Sequence, residues 1–288
     1  MLNLLITGAN GQLGNEMRKR CSEKKYRCTY TDVAELDLTN RSAVVQLVTE
    51  LRPDFIINCA AYTNVERAEE DEATALKING DAVANLGYAA QSVQAKVIHV
   101  STDYVFDGNA SKPYTEEHPT APLAAYGRTK LRGEQSLEAA NCSYIILRTA
   151  WLYSPYGNNF VKTMRRLTSE RAELNVVFDQ VGTPTYAGDL AQAILAIIDQ
   201  PWDKQNEGIY HFSNEGVCSW YDFAHQIALL SGNTACKIHP CHSDEFPSKV
   251  HRPNYSVLDK SKIKKTFGIE IQHWQTALAQ CLEQLNKE

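Results

Sequence analysis

The 288-residue chain predicts an α/β fold: a Rossmann-type doubly wound parallel sheet with a smaller α/β C-terminal substrate domain. Three features carry that expectation. Short apolar runs alternate with amphipathic stretches through the first half, a glycine-rich turn follows the first run, and the regularity weakens after Arg148.

Taken in order, Leu2–Thr7 reads as a strand and Gly11–Lys24 as a helix, then Arg27–Thr31 as a strand and the region near Arg41–Leu51 as a helix. Asp54–Asn58 is a third strand, Glu72–Ser92 a long helical pattern, and Val97–Ser101 a fourth strand. A helix at Ala124–Ala140 and a strand at Tyr144–Arg148 complete the series. Strands separated by helices cannot be joined by hairpins, so parallel pairing follows. The runs are almost continuously apolar, as strands covered on both faces should be. Beyond residue 150, turn-rich pieces separate helices near Phe160–Glu170 and Asp189–Asp199. A late strand at Gly208–Phe212 and helices at Ser219–Leu230 and Gln272–Asn286 follow. Residues 1–150, with about 186–212, form the expected NAD(P)-binding unit. Residues 151–185 and 213–288 form the expected substrate unit, partly intertwined with it.

Composition narrows the function. Hydrophobic residues are 43% and charged residues 22%, ordinary for a globular chain. No run approaches the ~18 apolar residues of a membrane span. A net charge of −5 repels a phosphate backbone, so nucleic acid is not an expected partner. The eight cysteines are scattered and the first residues lack a basic leader, so a reducing cytoplasm is the expected location. Cys236-Lys-Ile-His239-Pro-Cys241-His242 lacks a usual zinc spacing and is expected to be an ordinary loop.

Gly8-Ala-Asn-Gly11-Gln-Leu-Gly14 lies between the first strand and first helix. It differs by one residue in spacing from the dinucleotide fingerprint, but the physical need is the same. The turn requires positive φ, the backbone must approach a pyrophosphate, and the helix N-terminus offers free N–H groups to that anion. Asp32, at the end of the second strand, is placed to accept from the adenosine ribose and would repel a 2′-phosphate, which leans toward NAD(H). Asp37 could serve the adenine side instead, and either acid could be a cap or turn residue. Ala60, Ala61 and Thr63, after the third strand, read as cofactor wall.

Tyr126-Gly-Arg-Thr-Lys130 places a phenol and an ammonium one helical turn apart. At about 4 Å and an effective dielectric of about 20, the cation contributes on the order of 4 kcal/mol toward the phenolate. One pKa unit corresponds to about 1.4 kcal/mol, so the cation could lower the tyrosine by up to ~3 units before desolvation opposes it, letting the pair work near neutral pH. Thr102, closing the fourth strand, offers a hydroxyl to the substrate oxygen at the carboxyl edge where parallel sheets hold ligands.

Together with Ser101-Thr-Asp-Tyr-Val-Phe-Asp-Gly108, Arg148-Thr-Ala-Trp-Leu-Tyr153, Gly157-Asn-Asn-Phe-Val161, Asp179-Gln-Val-Gly-Thr-Pro-Thr185 and Arg252-Pro-Asn-Tyr-Ser-Val-Leu-Asp259, these segments resemble the extended short-chain dehydrogenase/reductases. More narrowly, they resemble the dTDP-4-dehydrorhamnose reductase family across nearly the whole chain. The resemblance implies NADPH- or NADH-dependent reduction of a C4 ketone in dTDP-L-rhamnose formation, a step toward surface polysaccharide precursors. Tyr126 would be the proton donor, Lys130 would hold the nicotinamide ribose and tune the phenol, and Thr102 would polarise the ketone. Gly11, Gln12, Leu13, Asp37, Leu38, Ala61, Tyr62 and Thr63 would line the dinucleotide. Thr102, Asp103 and Trp151 would touch the deoxysugar. An indole face suits a sugar's C–H surface, though a core tryptophan at a strand end is the alternative. Arg252 could fork onto the diphosphate, or serve the turn made with Pro253.

Family members with a Mg²⁺-bridged dimer use two glutamates. Glu16 fits the first, but Gly188 stands at the second with Asp189 beside it. A Mg²⁺ site is therefore in doubt, and monomer and homodimer both remain open. Two other readings share the scaffold. Nucleotide-sugar dehydratases carry Thr-Asp-Glu where this chain has Thr102-Asp103-Tyr104, which disfavours dehydration, while epimerisation stays open. A regulatory subunit such as that of methionine adenosyltransferase would bind the dinucleotide without turnover.

Overall fold

A computed structural model of the chain describes residues 1–23, 26–246 and 250–287. The first half runs β1 (Asn3–Thr7), α1 (Gln12–Ser22), β2 (Arg27–Thr31), α2 (Arg41–Leu51) and β3 (Phe55–Asn58). It continues through α3 (Val65–Glu70), α4 (Glu72–Leu76), α5 (Ala82–Val93), β4 (Lys96–Thr102), α6 (Ala125–Ala139) and β5 (Ser143–Thr149). Lys24, the last residue expected in the first helix, lies outside the described residues.

The second half holds β6 (Leu152–Tyr153), α7 (Phe160–Glu170), β7 (Glu173–Val177), β8 (Val181–Gly182), β9 (Thr185–Tyr186) and α8 (Ala187–Ile198). After it come β10 (Gly208–His211), β11 (Cys218–Ser219), α9 (Trp220–Leu230), β12 (Lys237–Cys241), α10 (Ser261–Phe267) and α11 (Trp274–Leu285).

Six strands form one parallel sheet in the order β10-β5-β4-β3-β1-β2. Leu4 and Ile6 of β1 pack with α1 and α8 on one face, and Leu5 packs with α2 and α5 on the other. Chain direction across the sheet reverses between β1 and β3, and the carboxyl ends of those strands border a crevice where open α/β sheets hold ligands. A third core gathers Tyr153, Val161, Phe223, Trp274 and Leu278 outside the sheet.

Two expectations need correction. The helical pattern over Glu72–Ser92 is not one helix: Asp71 caps α4 through the Thr74 N–H, and a π-helical turn at Lys77–Asp81 precedes α5. That turn buries Asn79, whose amide accepts from the Tyr62 N–H at 2.8 Å and donates to the Tyr62 carbonyl and the Thr129 hydroxyl. The segment expected as a loop at Cys236–His242 contains β12, paired in parallel with β7 from Lys237↔Glu173 to Cys241↔Val177. Pro240 breaks the strand pattern in the sequence, and a two-stranded sheet tolerates it because one edge needs no donor.

Helix α6 is tied to β5 by a buried ion pair, Glu134 with Arg148, at 2.6 Å and with both side chains almost fully enclosed. The guanidinium also donates from Nε at 3.0 Å. Removing one partner strands the other charge, so Glu134→Ala is expected to lower the unfolding free energy in a urea titration by about 3–5 kcal/mol. A loss below about 1 kcal/mol, the range of an exposed pair, would mean that the pair does not anchor the helix.

Candidate active site

The turn between β1 and α1 is shaped by what a side chain would strike. Gly8 has φ +63° and its backbone lies so close to β3's end that an added Cβ would stand 2.6 Å from the Ala60 nitrogen. A Cβ on Gly14 would stand 2.3 Å from the Gly8 carbonyl oxygen, so Gly14 packs the helix onto the turn instead of facing the cleft. The first hydrogen bond of α1 runs from the Asn15 N–H to the Gly11 carbonyl, no side chain caps the preceding N–H groups, and no acid occupies the first turn. This open, electropositive terminus fits the pyrophosphate of a dinucleotide.

A cleft of about 1010 Å³ runs from that turn along the carboxyl edge of the sheet. Gly8, Gly11, Gln12, Leu13, Asp32, Asp37, Leu38, Ala60, Ala61 and Thr63 all face it. Asp32 accepts from the Asn10 N–H at 2.9 Å and the Val33 N–H at 2.8 Å, which fixes its carboxylate beside the glycine turn. Asp37 is exposed and accepts from the N–H and hydroxyl of Thr39, which hold its carboxyl below the usual range. The Gln12 amide oxygen accepts from Asn159 at 3.0 Å, joining the first helix to the cap of α7. Besides Gly14, Tyr62 does not line the cleft: it packs with Ala68, Ala75 and Ala125, and Asn79 grips both of its backbone groups.

Thr102, Asp103, Tyr126 and Lys130 meet at the far end of the cleft. β4 ends at Thr102, whose hydroxyl donates to Asp103 Oδ1 at 2.9 Å. The other Asp103 carboxylate oxygen is buried with no hydrogen-bond partner among the described residues. Burial raises this acid to about 7, against the opposing hydrogen bond from Thr102. Tyr126 packs edge-on against Tyr104, ring centroids 5.5 Å apart.

The Lys130 amine donates to the Val100 carbonyl at 2.6 Å and lies 3.3 Å from His99 Nε2. Burial brings it down to about 8, although the Glu134 carboxylate pulls the other way. Enclosure of the Tyr126 hydroxyl and then the Asp103 charge push the phenol above its ordinary value, against the Thr102 hydroxyl. The expected acidification of Tyr126 by Lys130 is thus not what this geometry produces. The lysine nitrogen turns to the strand instead, and the phenol stays protonated across the neutral range.

Trp151 lines the cleft with φ +49°, a left-handed backbone rare for a bulky residue. One indole face is stacked on Trp220, centroids 3.5 Å apart and 9° between planes, so at most the other is left for a ligand. Arg252 stands in the cleft lining near Glu66, 3.5 Å away, and its charge opposes the burial that lifts Tyr104 to about 12. Trp220, Gln180, Asn159 and Ser256 also face the cleft and escaped the sequence reading. Asn159, Gln180 and Ser256 lay inside quoted motifs without being singled out, and Trp220 lay in none. Trp220 is simply the first residue of a well-capped helix, with no spacing that sets it apart.

The residues weighed for Mg²⁺ do not fit it. Glu16 is fully buried, paired with Arg20 and accepting from the Tyr186 hydroxyl at 3.0 Å. Asp189 accepts from Asn214 at 2.6 Å and Gln272 at 2.9 Å. Both acids spend their oxygens inside the fold.

The chain is 42% identical to a dTDP-4-dehydrorhamnose reductase from Aggregatibacter actinomycetemcomitans, covering 96% of this chain and 97% of that protein. Among solved structures it is similar to a dTDP-4-dehydrorhamnose reductase from Clostridium acetobutylicum, with TM-score 0.94, 46% identity, and 99% and 100% of the two chains covered. A second, from Bacillus anthracis in complex with NADP, gives TM-score 0.93 and 40% identity over 98% and 99% of the chains. The RmlD substrate binding domain family matches residues 2–287. Matched over nearly its whole length, the chain belongs to that family.

Proposed function

We propose that the protein reduces the C4 ketone of dTDP-4-dehydro-L-rhamnose to dTDP-L-rhamnose with NADPH or NADH, supplying a precursor of surface polysaccharide. One observation carries the reading: a protonated Tyr126 and the Thr102 hydroxyl face the same cleft as an uncapped, glycine-bounded helix N-terminus. The namesakes among its relatives support the substrate class, and the NADP in the Bacillus anthracis structure supports the cofactor class. Asp32 still favours the form without a 2′-phosphate.

The residues divide the work as follows. Gly8, Gly11, Gln12 and Leu13 would hold the pyrophosphate, and Asp32, Asp37 and Leu38 the adenosine. Ala60, Ala61 and Thr63 would leave room along the wall, and Lys130 would hold the ribose near the reacting ring. Bound there, the reduced nicotinamide supplies a hydride. As negative charge builds on the ketone oxygen, Tyr126 gives it the phenolic proton while the Thr102 hydroxyl turns its one proton from Asp103 to that oxygen and donates a hydrogen bond. A phenol held above its ordinary pKa loses no proton to water beforehand, so every enzyme molecule carries the acid in its active form. The unpartnered oxygen of Asp103 accepts a sugar hydroxyl, Trp151 offers its remaining face, and Arg252 meets the diphosphate.

Oxidation of NADPH or NADH by the purified protein with dTDP-4-dehydro-L-rhamnose tests the reading directly. Cofactor binding without turnover would favour a regulatory subunit instead. Tyr126→Phe should reduce kcat/KM by about 10²–10⁴-fold, the usual worth of a general acid, with cofactor affinity by fluorescence titration nearly unchanged. Wild-type rates in that variant would sink the proton-donor assignment.

The pH profile follows from two displaced groups. As a carboxylate Asp103 accepts through both oxygens, from Thr102 and from the sugar, and protonation turns one acceptor into a donor, so kcat/KM should fall as pH drops through about 7. Lys130 carries its charge only in the acid direction, so activity should fall again as pH rises through about 8. Asp103→Asn should erase the acid limb and leave the alkaline one. An acid limb that persists would assign it to another group.

A further inference from the structure

Across three neighbouring strands of the sheet runs a row of buried polar side chains. Thr7 of β1 sits opposite Asn58 of β3, and Asn58 opposite His99 of β4. Each is at most 2% exposed, and Lys130, on α6 beyond His99, is 1% exposed. A row like this in a core is costly unless every member is satisfied, and that requirement fixes where the protons are.

The accounting starts from a donor that has no choice. The Ala60 backbone N–H donates to Asn58 Oδ1 at 3.2 Å, and the Thr7 hydroxyl donates to the same oxygen at 2.7 Å. That end of the amide is therefore the carbonyl, and the NH₂ end faces His99 Nδ1 at 3.0 Å. A donor there demands a bare Nδ1, so the neutral ring carries its proton on Nε2. That N–H then points at Lys130 Nζ, 3.3 Å away. An ammonium has three donors and no lone pair, so it meets this N–H as donor against donor. A neutral amine accepts it, while donating to the Val100 carbonyl at 2.6 Å.

We propose that His99 is a positioning residue: locked as the Nε2–H tautomer by Asn58, it holds the Lys130 amine against β4 and biases it away from the ammonium form. The inference rests on the reductase reading for its consequence, since Lys130 is the residue that reading places beside the reacting ring. Other charged or titratable groups around Lys130 are Glu134 one turn on, itself paired with Arg148, Tyr126 one turn back, and Asp103 and Tyr104 after β4. The Glu134 carboxylate raises Lys130 and burial lowers it. His99 is itself held well below its ordinary value by burial and then by the Lys130 charge, so it stays neutral and keeps this tautomer.

Long-range proton–nitrogen spectra of the full-length protein with ¹⁵N-labelled histidine read the tautomer without turnover. A bare Nδ1 and a protonated Nε2 on His99 are expected, and a protonated Nδ1 overturns the proposal. Asn58→Asp reverses the clamp. Its second carboxylate oxygen accepts from Nδ1–H, turns the Nε2 lone pair to Lys130, and leaves the Thr7 and Ala60 donors satisfied. The alkaline limb of kcat/KM should then move up by about one pH unit, the scale of a nearby charge or hydrogen bond, with KM at neutral pH unchanged. A folded variant whose limb stays where it was overturns the proposal. An inactive wild-type protein whose His99 still shows a bare Nδ1 supports the clamp while refuting the reductase reading.

Discussion

Contact between the β1–α1 turn and the end of β3 constrains everything that happens in the cleft. The Gly8 backbone lies where no Cβ could stand, against Ala60, and Gly14 lets α1 settle onto the same turn. That places a helix N-terminus at the reversal point of the sheet, with its first N–H groups aimed into open space instead of into a capping side chain. Other helices of the chain spend a residue on this: Asn40, Asn159 and Ser219 cap α2, α7 and α9. Helices α5, α6, α8 and α10 also start without a side-chain cap, so what marks α1 is the glycine turn before it, which leaves Gly11, Gln12 and Leu13 lining the cleft.

At the other end of the cleft, burial does most of the electrostatic work. It lifts Asp103 to about 7 and lowers Lys130 to about 8, drawing an acid and a base from opposite sides toward neutrality. The same burial moves Tyr126 the other way from what its spacing to Lys130 suggests. Spacing on a helix says that two side chains share a face. It does not say which neighbour each one reaches, and Lys130 reaches across to the Val100 carbonyl. Desolvation of a phenol then outweighs a cation engaged elsewhere.

What the residues disclose beforehand depends on how local the cause is. The parallel sheet was legible because most strands hold a core of consecutive apolar residues, β2 with Arg27-Cys-Thr-Tyr-Thr31 excepted, and each connection is long enough to hold a helix. Strand β12 was not, because Lys237-Ile-His-Pro-Cys241 has neither alternation nor an apolar run and is held by its pairing with β7. The break in the helix after residue 70 was hidden for a similar reason, since Asn79 earns its place only through Tyr62 and Thr129, distant in sequence. At the site, the glycine turn, Thr102, Tyr126 and Lys130 sit at strand ends or on one helix face and could be read. Trp220 could not, because its partner Trp151 lies far away in the chain and only the fold stacks them.

The row Thr7–Asn58–His99 follows from the same sheet in a less obvious way. In a parallel sheet covered on both faces, each strand has an end that must pass from core to site, and cross-strand register puts those ends side by side. Polar residues at that level are enclosed on three sides, so they can be satisfied only by one another or by what lies above. Here the backbone of Ala60 sets the first bond and each later one follows from it, until the last donor meets the amine of Lys130. A glycine turn that presses Ala60 into place therefore does two things at once. It opens the helix terminus to an anion, and through Asn58 and His99 it reaches the lysine at the opposite end of the cleft.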